Sequence, residues 1–568
     1  MDFSQTLEAI AREPEIAVDT EGFAEDTNRW LLTSTTMGIS VSLADGTGFY
    51  FPLEHIFQRS GVPAENLTHQ QRQYLFEVLS KHPNQIHHNS KHDIKALDKV
   101  SVKVNNFFCT MVGTHWIDEN ILSKALDYVS KLFGGEGKKR PESMQAIING
   151  LGWQYTFVDD MNMYSVQDAR AAFEIKQRIW PEFVAQGYAD GLWDIEQDFT
   201  RLVNDMEWTG IQVDTKLCER EVIKGEEIMT QIRESLGCNP SSPNDMADLL
   251  LDELGLPIVR RTPGGKPSFD KKAMEIYDEK LAVMGDIRAK QIVRYRGWQR
   301  AISNNYKPYL LQVGPDGRIR PNYNLHRART PRMTCNDPNL QNIPRESNFE
   351  WNGDLKRAFI AKKGYRLIEF DYKNLEFRLA AAYGKEADLI LVLDDPDRNV
   401  FMEYAVAKGM PYNPAKTLHY SIMYGAGIPR IRDVFNETED EATKIIHTFW
   451  GSYPGISRAN QLAMDNVSNR GYVSCWTGRR RRLTDRHKAF NAVIQGGAAE
   501  IVKRAALRTA QFNSSDCNLL LHIHDSLLWE IREDLVDTMV PQIKREMERV
   551  PENFGVSFFV EAHEWGKK

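Results

Sequence analysis

Residues 366–378 read RLIEFDYKNLEFR, and the fold turns on how that stretch is parsed. Leu367-Ile368-Glu369-Phe370 predicts a short buried strand, Asp371 stands where the apolar run stops, and Asn374 to Ala381 opens a helical pattern. A carboxylate at the mouth of a strand suits Mg²⁺, a hard cation that takes oxygen ligands from a rigid frame. A single such Asp is ordinary, since turn residues and helix caps are often Asp. It gains meaning from LLLHIHDSLLWE at 519–530, which predicts strand, tight turn and strand with His524-Asp525 at the tip. Two apolar strands that pair and each present one Asp bring two carboxylates together. That is the arrangement that holds two metal ions for in-line phosphoryl chemistry.

Around this centre the composition is that of an ordinary globular protein. The 568 residues exceed one hydrophobic core, so about two to four domains are expected. A net charge of −7 excludes a polycation that coats nucleic acid, and any nucleic-acid site must be a local basic surface. The six cysteines (Cys109, Cys218, Cys238, Cys335, Cys475 and Cys517) are scattered without a C-x-x-C pair. They read as free thiols of a reducing compartment and argue against structural zinc. The opening MDFSQTLEAIAREPE has no signal-peptide pattern, and no apolar run approaches membrane-spanning length. A cytoplasmic protein with no membrane partner is expected.

The first region, about 1–187, alternates strand-like pieces (IAVDTE, MGISVSLADG, TGFYFPL) with helical ones around 69–81 and 165–178, an α/β layer pattern. Asp19 and Glu21 flank Thr20, so on an extended chain both side chains point to one face. Asp93 follows Asn89 by four residues, and Asp168 follows Tyr164 by four, a helical spacing that shares a face. Clustered carboxylates repel one another and persist where divalent cations neutralise them. The D-x-E, N-x-x-x-D and Y-x-x-x-D patterns, in this order, resemble the DnaQ-like 3′→5′ exonuclease family, an RNase H-like α/β domain. The resemblance implies that Asp19, Glu21, Asp93 and Asp168 hold two Mg²⁺ or Mn²⁺ ions. It also implies that Tyr164 orients the attacking water and Asn89 helps position the strand end. Cys109 departs from the acid that relatives often carry, and no catalytic role is expected of it.

Residues 191–214 carry apolar positions at helical spacing up to Gly210, a helix stop, and Ser242-Pro243-Asn244 predicts a capped helix start. Arg288, Lys290, Arg294, Arg296 and Arg300 lie on a helical stretch over 281–312 and are expected to grip a phosphate backbone.

In the last region, NPAKTLHYSIMYGAG at 413–427 predicts a helix with Asn413 as cap, Pro414 at the first position and Gly425 and Gly427 as the stop. Lys416, Tyr420 and Tyr424 then fall at i, i+4 and i+8, one stripe. A cation followed by two aromatic rings suits a nucleoside triphosphate at a helix amino end. Together with HRARTPRMTCNDPNLQNIP (326–344), Asp371, QGGAAE and the His524-Asp525 pair, this stretch resembles the family-A DNA polymerases of the polymerase I type.

That resemblance implies an α+β right-hand domain over 188–568: thumb at about 200–325, palm at about 326–390 and 455–568, and fingers at about 391–454. It implies two Mg²⁺ ions on Asp371, Asp525 and the Tyr372 carbonyl. Lys416 would contact the triphosphate and protonate the leaving pyrophosphate. Tyr420 would lie against the sugar, Tyr424 would guard the base-pair pocket, and Glu376 would exclude ribonucleotides. Arg332, Asn491, Gln495 and His524 would touch primer–template DNA, with Lys503 and Arg504 on the following helix. The run TGRRRR at 477–482 reads as a basic phosphate-binding strand.

The chain departs from the family twice. Tyr412 stands where an arginine usually precedes the fingers lysine; it is expected outside the helix, with Lys408 or Arg398 as replacements. Ser526 stands where an acid usually follows His-Asp. The implied function is template-directed DNA synthesis from dNTPs with proofreading. The rivals are an exonuclease with a DNA-binding but synthesis-impaired second half, and a single-subunit RNA polymerase. A monomer is expected, with helicase and single-strand-binding partners not readable. The lack of a 5′-nuclease region ahead of the exonuclease points to a phage-type source.

Overall fold

Ile16, Ala17 and Val18 open the first strand as a fully buried apolar run, and the alternation that follows carries Asp19 and Glu21 to one half-buried face. This computed structural model describes residues 2–138, 140–344, 350–351, 355–551 and 554–566. Strands β1 (Ile16–Ala24), β2 (Ser34–Ser42), β3 (Gly48–Pro52), β4 (Gln85–His87) and β5 (Phe107–Cys109) form one sheet in the order β3-β2-β1-β4-β5. The first three are antiparallel and the last two run parallel to β1. A bulge falls between Glu21 and Gly22, just past the acidic pair, where a Cβ on Gly22 would sit 2.5 Å from the Thr35 carbonyl oxygen. Helices α1 (Ser90–Lys99) and α2 (Val158–Ala185) carry the other two acids. Helix α3 (Leu192–Thr209) stops at Gly210, φ +61°. The α/β layers expected of this region are the ones present.

Chain contacts divide the molecule into two compact units. One is Met1–Trp208, Tyr323–Thr334 and Ile368–His563; the other is Thr209–Asn322, Cys335–Leu367 and Glu564–Lys568. All of helix α3 except its last residue, Thr209, therefore belongs to the first unit. Within the second unit, β6 (Ile211–Val213) pairs with both β7 (Arg318–Ile319) and β8 (Phe359–Ile360), and α4 (Arg288–Ala301) bears the cation run. Those cations are mostly engaged, against expectation. Arg288 pairs with Asp286 and Glu253, Arg294 with Glu350, and Arg296 donates to the carbonyls of Pro240 and Phe269. Only Lys290 and Arg300 of the five stay exposed without an acidic partner among the described residues.

The rest of the first unit holds the central stretch. Strand β9 (Tyr365–Tyr372) runs into α5 (Leu375–Gly384), with Asn374 in the left-handed region between them. Helices α6 (Val400–Lys408) and α7 (Tyr412–Met423) follow, then the hairpin β10 (Tyr472–Ser474) and β11 (Arg480–Arg482), and the long α8 (Ala489–Thr509). Strands β12 (Cys517–Ile523) and β13 (Ser526–Arg532) flank a two-residue turn, His524-Asp525, and with β14 (Val560–Glu564) complete a sheet ordered β12-β13-β9-β14. The strand–turn–strand and strand–helix patterns both stand as the sequence implied.

Candidate active sites

The first cluster forms where β1, α1 and α2 meet. One carboxylate oxygen from each of Asp19, Glu21 and Asp168 lies within 4.8 Å of the others. Asp93 joins through Thr20, whose backbone N–H (3.2 Å) and hydroxyl (2.8 Å) both donate to its Oδ1. Its Oδ2 is buried with no hydrogen-bond partner among the described residues, 3.7 Å from a His87 ring that burial keeps neutral, its pKa pushed down to about 4. Burial raises all four carboxyls, and repulsion from neighbouring acids adds to it at Asp19 and Glu21. Asp19 lies well above the usual value, Glu21 and, chiefly through burial, Asp93 reach about 8, and burial raises Asp168 as well. Tyr164 is one turn before Asp168 on α2 and faces the same way. Asn89 immediately precedes α1, one turn before Asp93, with its side chain making no capping bond. Cys109 is buried and accepts from the Ser90 N–H, a structural contact.

Two cations that the sequence reading passed over close this cluster. Lys138 Nζ pairs with Asp168 and donates to the Tyr164 hydroxyl at 2.9 Å; Arg140 donates to the same hydroxyl at 3.2 Å and lies over the Tyr164 ring. Burial works against the charge on Lys138, but Asp168 and Tyr164 outweigh it and hold its pKa above the ordinary lysine value. The signal was the cationic run ahead of Tyr164 in GKKRP.

The second cluster sits at the end of β9 and the β12–β13 turn. The Tyr372 N–H donates to the Asp525 carbonyl at 3.4 Å, so the backbone that carries Asp371 meets the backbone that carries Asp525. Tyr372 is otherwise buried, with its hydroxyl donating to the Met547 carbonyl at 2.6 Å. Arg332 Nη2 lies 2.6 Å from Glu376 and 3.4 Å from Asp525, which ties these three residues together. Burial raises Glu376 to about 7, with Arg332 opposing it. Ser526 donates to Glu369, 3.0 Å away, so the acid beside the turn comes from β9, two residues before Asp371 on the same strand face.

The helix α7 lies against this cluster. Burial first, then Glu376, Asp525, Tyr412 and Asp371 raise the Tyr420 hydroxyl, which places that ring among the acids. Lys416 Nζ is 5.8 Å from the Tyr420 ring centre, and the Tyr420 and Tyr424 rings are 5.7 Å apart, so the stripe exists. Its start is corrected: Pro411, not Asn413, caps the helix, and Tyr412 is its first residue. Pro414 is tolerated in the first turn because the N–H it lacks has no helical acceptor there. Tyr412 thus extends the stripe one turn toward the amino end. Arg398, offered as a replacement for the missing arginine, is engaged by Glu403 at 2.7 Å, while Lys408 is exposed.

Asn491 and Gln495 share a half-buried face of α8, one turn apart. Lys503 is not on a DNA face: it is buried and paired with Glu196 of α3 at 2.9 Å, while Arg504 lies over Trp476. The basic strand is corrected in the same way. Arg481 and Arg482 pair with buried Glu119, and Arg479 lies over Trp116, so β11 docks on the exonuclease-like region.

Comparison with known proteins assigns a family to each of the two regions. A model of DNA polymerase family A matches residues 215–567. The chain belongs to that family. A 3′-5′ exonuclease model matches residues 2–183. DNA polymerase I of Pseudomonas aeruginosa is 27% identical over 588 aligned positions, covering 95% of this chain and 62% of that protein. DNA polymerase I of Borreliella burgdorferi is 25% identical, covering 93% and 60%. The chain thus spans about three fifths of the length of these curated relatives. The POL domain of Pol1 from M. smegmatis, solved in complex with DNA primer-template and dNTP, shares the fold at a TM-score of 0.83 and 21% identity, covering 99% of this chain and 97% of that one. Among the described residues no helix is long and apolar enough to cross a membrane.

Proposed function

We propose that this chain is a DNA-directed DNA polymerase that extends a primer along a template with dNTPs, and that its first region, about 1–187, proofreads as a 3′→5′ exonuclease. The observation that carries the reading is the meeting of the Asp371 and Asp525 backbones beside the Lys416–Tyr420–Tyr424 stripe, in a member of family A. The donor sets fit Mg²⁺ or Mn²⁺: hard carboxylate oxygens at both clusters, and at the first a buried Asp93 oxygen with no hydrogen-bond partner among the described residues. Asp19, Glu21, Asp93 and Asp168 would hold the ions of one site, and Asp371, Asp525 and the Tyr372 carbonyl those of the other. Bound there, the ions supply the positive charge that attacking and leaving phosphate oxygens need.

The chain's own groups do the rest. Lys416 holds the triphosphate and gives the pyrophosphate its proton, Tyr420 backs the sugar, Tyr424 closes on the base pair, and Glu376 fills the space a 2′-hydroxyl would take. Arg332, Asn491, Gln495 and His524 hold the primer–template. In excision, Tyr164 orients the attacking water and Asn89 the strand end. The protein would act as a monomer in the cytoplasm, which its six free thiols fit. The matching relatives are bacterial polymerases I and lend no support to a phage source.

Primer extension run beside excision of a single-stranded primer tests the reading. Asp371→Ala should lose extension alone, and Asp19→Ala with Glu21→Ala excision alone. Excision without extension would favour the synthesis-impaired alternative, for which Tyr412 and Ser526 speak. Unprimed incorporation of ribonucleotides would favour the RNA polymerase.

A further inference from the structure

The two clusters are joined through one buried residue that neither site's chemistry uses. Glu207, on α3, is almost fully buried and accepts from the ammoniums of Lys91 and Lys95, both on α1, the helix that carries Asp93. Burial would neutralise Glu207, but the two lysines overcome it and hold its pKa below the usual carboxylate value. The same carboxylate accepts from the Tyr323 N–H at 2.5 Å, and Lys91 also donates to the Tyr323 carbonyl. Both backbone groups of Tyr323 are therefore fixed, the N–H by Glu207 of α3 and the carbonyl by Lys91 of α1 in the exonuclease-like region.

Its side chain reaches the other way. The Tyr323 hydroxyl accepts from the His522 N–H at 3.2 Å. Strand β12 is the outermost of its sheet, so a backbone N–H on its open side needs an acceptor from elsewhere. His522 is three residues before Asp525, and its ring Nε2 sits 3.0 Å from the His524 carbonyl. His524 itself takes φ +53°, a strained setting for a side-chain-bearing residue that its surroundings must hold in place.

We propose that Tyr323 is a positioning residue for polymerisation: it fixes the edge strand from which the His524-Asp525 turn projects, and anchors that strand to the exonuclease helix through Glu207. The inference rests on the two-activity reading above. A tyrosine hydroxyl is the smallest group that can be removed to break the link, and Tyr323→Phe does so while keeping the buried ring.

The test uses the full-length protein with Tyr323→Phe, Glu207→Gln and the double variant. Amide hydrogen exchange over 517–523 reads the bond directly and should speed up in Tyr323→Phe. Single-turnover incorporation on a matched primer should slow by about tenfold, because a catalytic group displaced by a fraction of an ångström loses rate at that scale. The apparent dNTP affinity and single-strand excision should each stay within about twofold, and the melting temperature should fall little. In the Glu207→Gln background the same change should add little further, the non-additivity expected of a shared path. Unchanged exchange at His522, equal losses in incorporation and excision, or fully multiplicative effects in the double variant would each overturn the proposal. A wild type that extends no primer would instead overturn the functional reading on which it rests.

Discussion

At the exonuclease-like cluster four acids crowd together from a strand and two helices, and a lysine of the chain itself lies against them. At the polymerase-like cluster two acids stand at the ends of neighbouring strands, and an arginine bridges one of them to Glu376. The first arrangement is electrostatically loaded: burial drives both Glu21 and Asp93 to about 8, with repulsion from Asp168 and Asp93 adding to it at Glu21. The second is held by sheet backbone, and Arg332 offsets part of its charge. Carboxylates can thus be brought together either by packing that forces them close or by strand pairing that aligns them, and the former stores the larger repulsion for a cation to relieve. If the two are separate devices, deleting one acid from either should be large and local. Asp525→Ala should cut nucleotide incorporation by on the order of 10³-fold while single-strand excision stays near wild type, and Asp168→Ala should do the reverse. A loss of both activities in either variant, measured in parallel assays, would break the comparison.

Burial, reinforced by repulsion at Glu21, gives the next effect its sign. Glu21 and Asp93 have folded pKa values near 8 against ordinary values of 4.5 and 3.8, so the metal-free fold holds their protons more tightly than the unfolded chain does. Their contribution to stability is fully present below about pH 4, is lost as pH rises, and is gone once pH passes about 8. Metal-free protein should therefore melt lower at pH 8.5 than at pH 5.5. Added Mg²⁺ or Mn²⁺ should raise the melting temperature more at the higher pH, with protons released on binding. Calorimetric scans in chelator and in metal check both, and a flat profile would show that the acids are not held as described. Asp19→Asn should flatten it, leaving the polymerase site untouched.

How much of this was legible follows from range. The β12–β13 turn could be read because two apolar runs are separated by only two residues, and β9 because its acid sits where the apolar run stops. The D-x-E pair on β1 was legible from strand alternation alone. The start of α7 was misread because a proline fits anywhere in a first turn, so Asn413-Pro414 and Pro411 compete as signals and sequence cannot rank them. Lys503 and Arg481 were read as surface cations because their partners, Glu196 and Glu119, lie 307 and 362 positions away. A basic residue carries no local mark of whether its counter-charge is a phosphate or a distant acid. Glu369 did carry one: it is two residues before Asp371 on a strand and so shares its face.

A smaller effect separates the roles of the lysine at the first site. Lys138 is set against Asp168, so it competes with any cation bound there. Lys138→Met should lower the metal-free melting temperature, since it leaves the acids uncompensated, and should raise Mn²⁺ affinity by about three- to tenfold, a shift of about 1 kcal/mol. Titration calorimetry decides it; weaker binding would mean that the ammonium helps to build the site.

The smallest effect concerns the turn. Ser526 is buried, and its hydroxyl lies 3.0 Å from both the Glu369 carboxylate and the Ile523 carbonyl, but has one proton to give. Ser526→Ala removes that donor while water can still reach half-buried Glu369, so about 1 kcal/mol of stability and a few-fold in incorporation should be lost. Restoring the acid usual at this position tells more. Ser526→Glu places a second carboxylate against Glu369, in hydrogen-bonding range of the first, where repulsion outweighs any ligand it adds. It should therefore impair incorporation more than Ser526→Ala does. Combining it with Glu369→Ser exchanges the two ends of the same hydrogen bond and should bring the rate back to within a few-fold of wild type. If Ser526→Glu alone speeds incorporation, the acid supplied from β9 is no substitute for the missing one, and the polymerase-like cluster is short of carboxylate ligands.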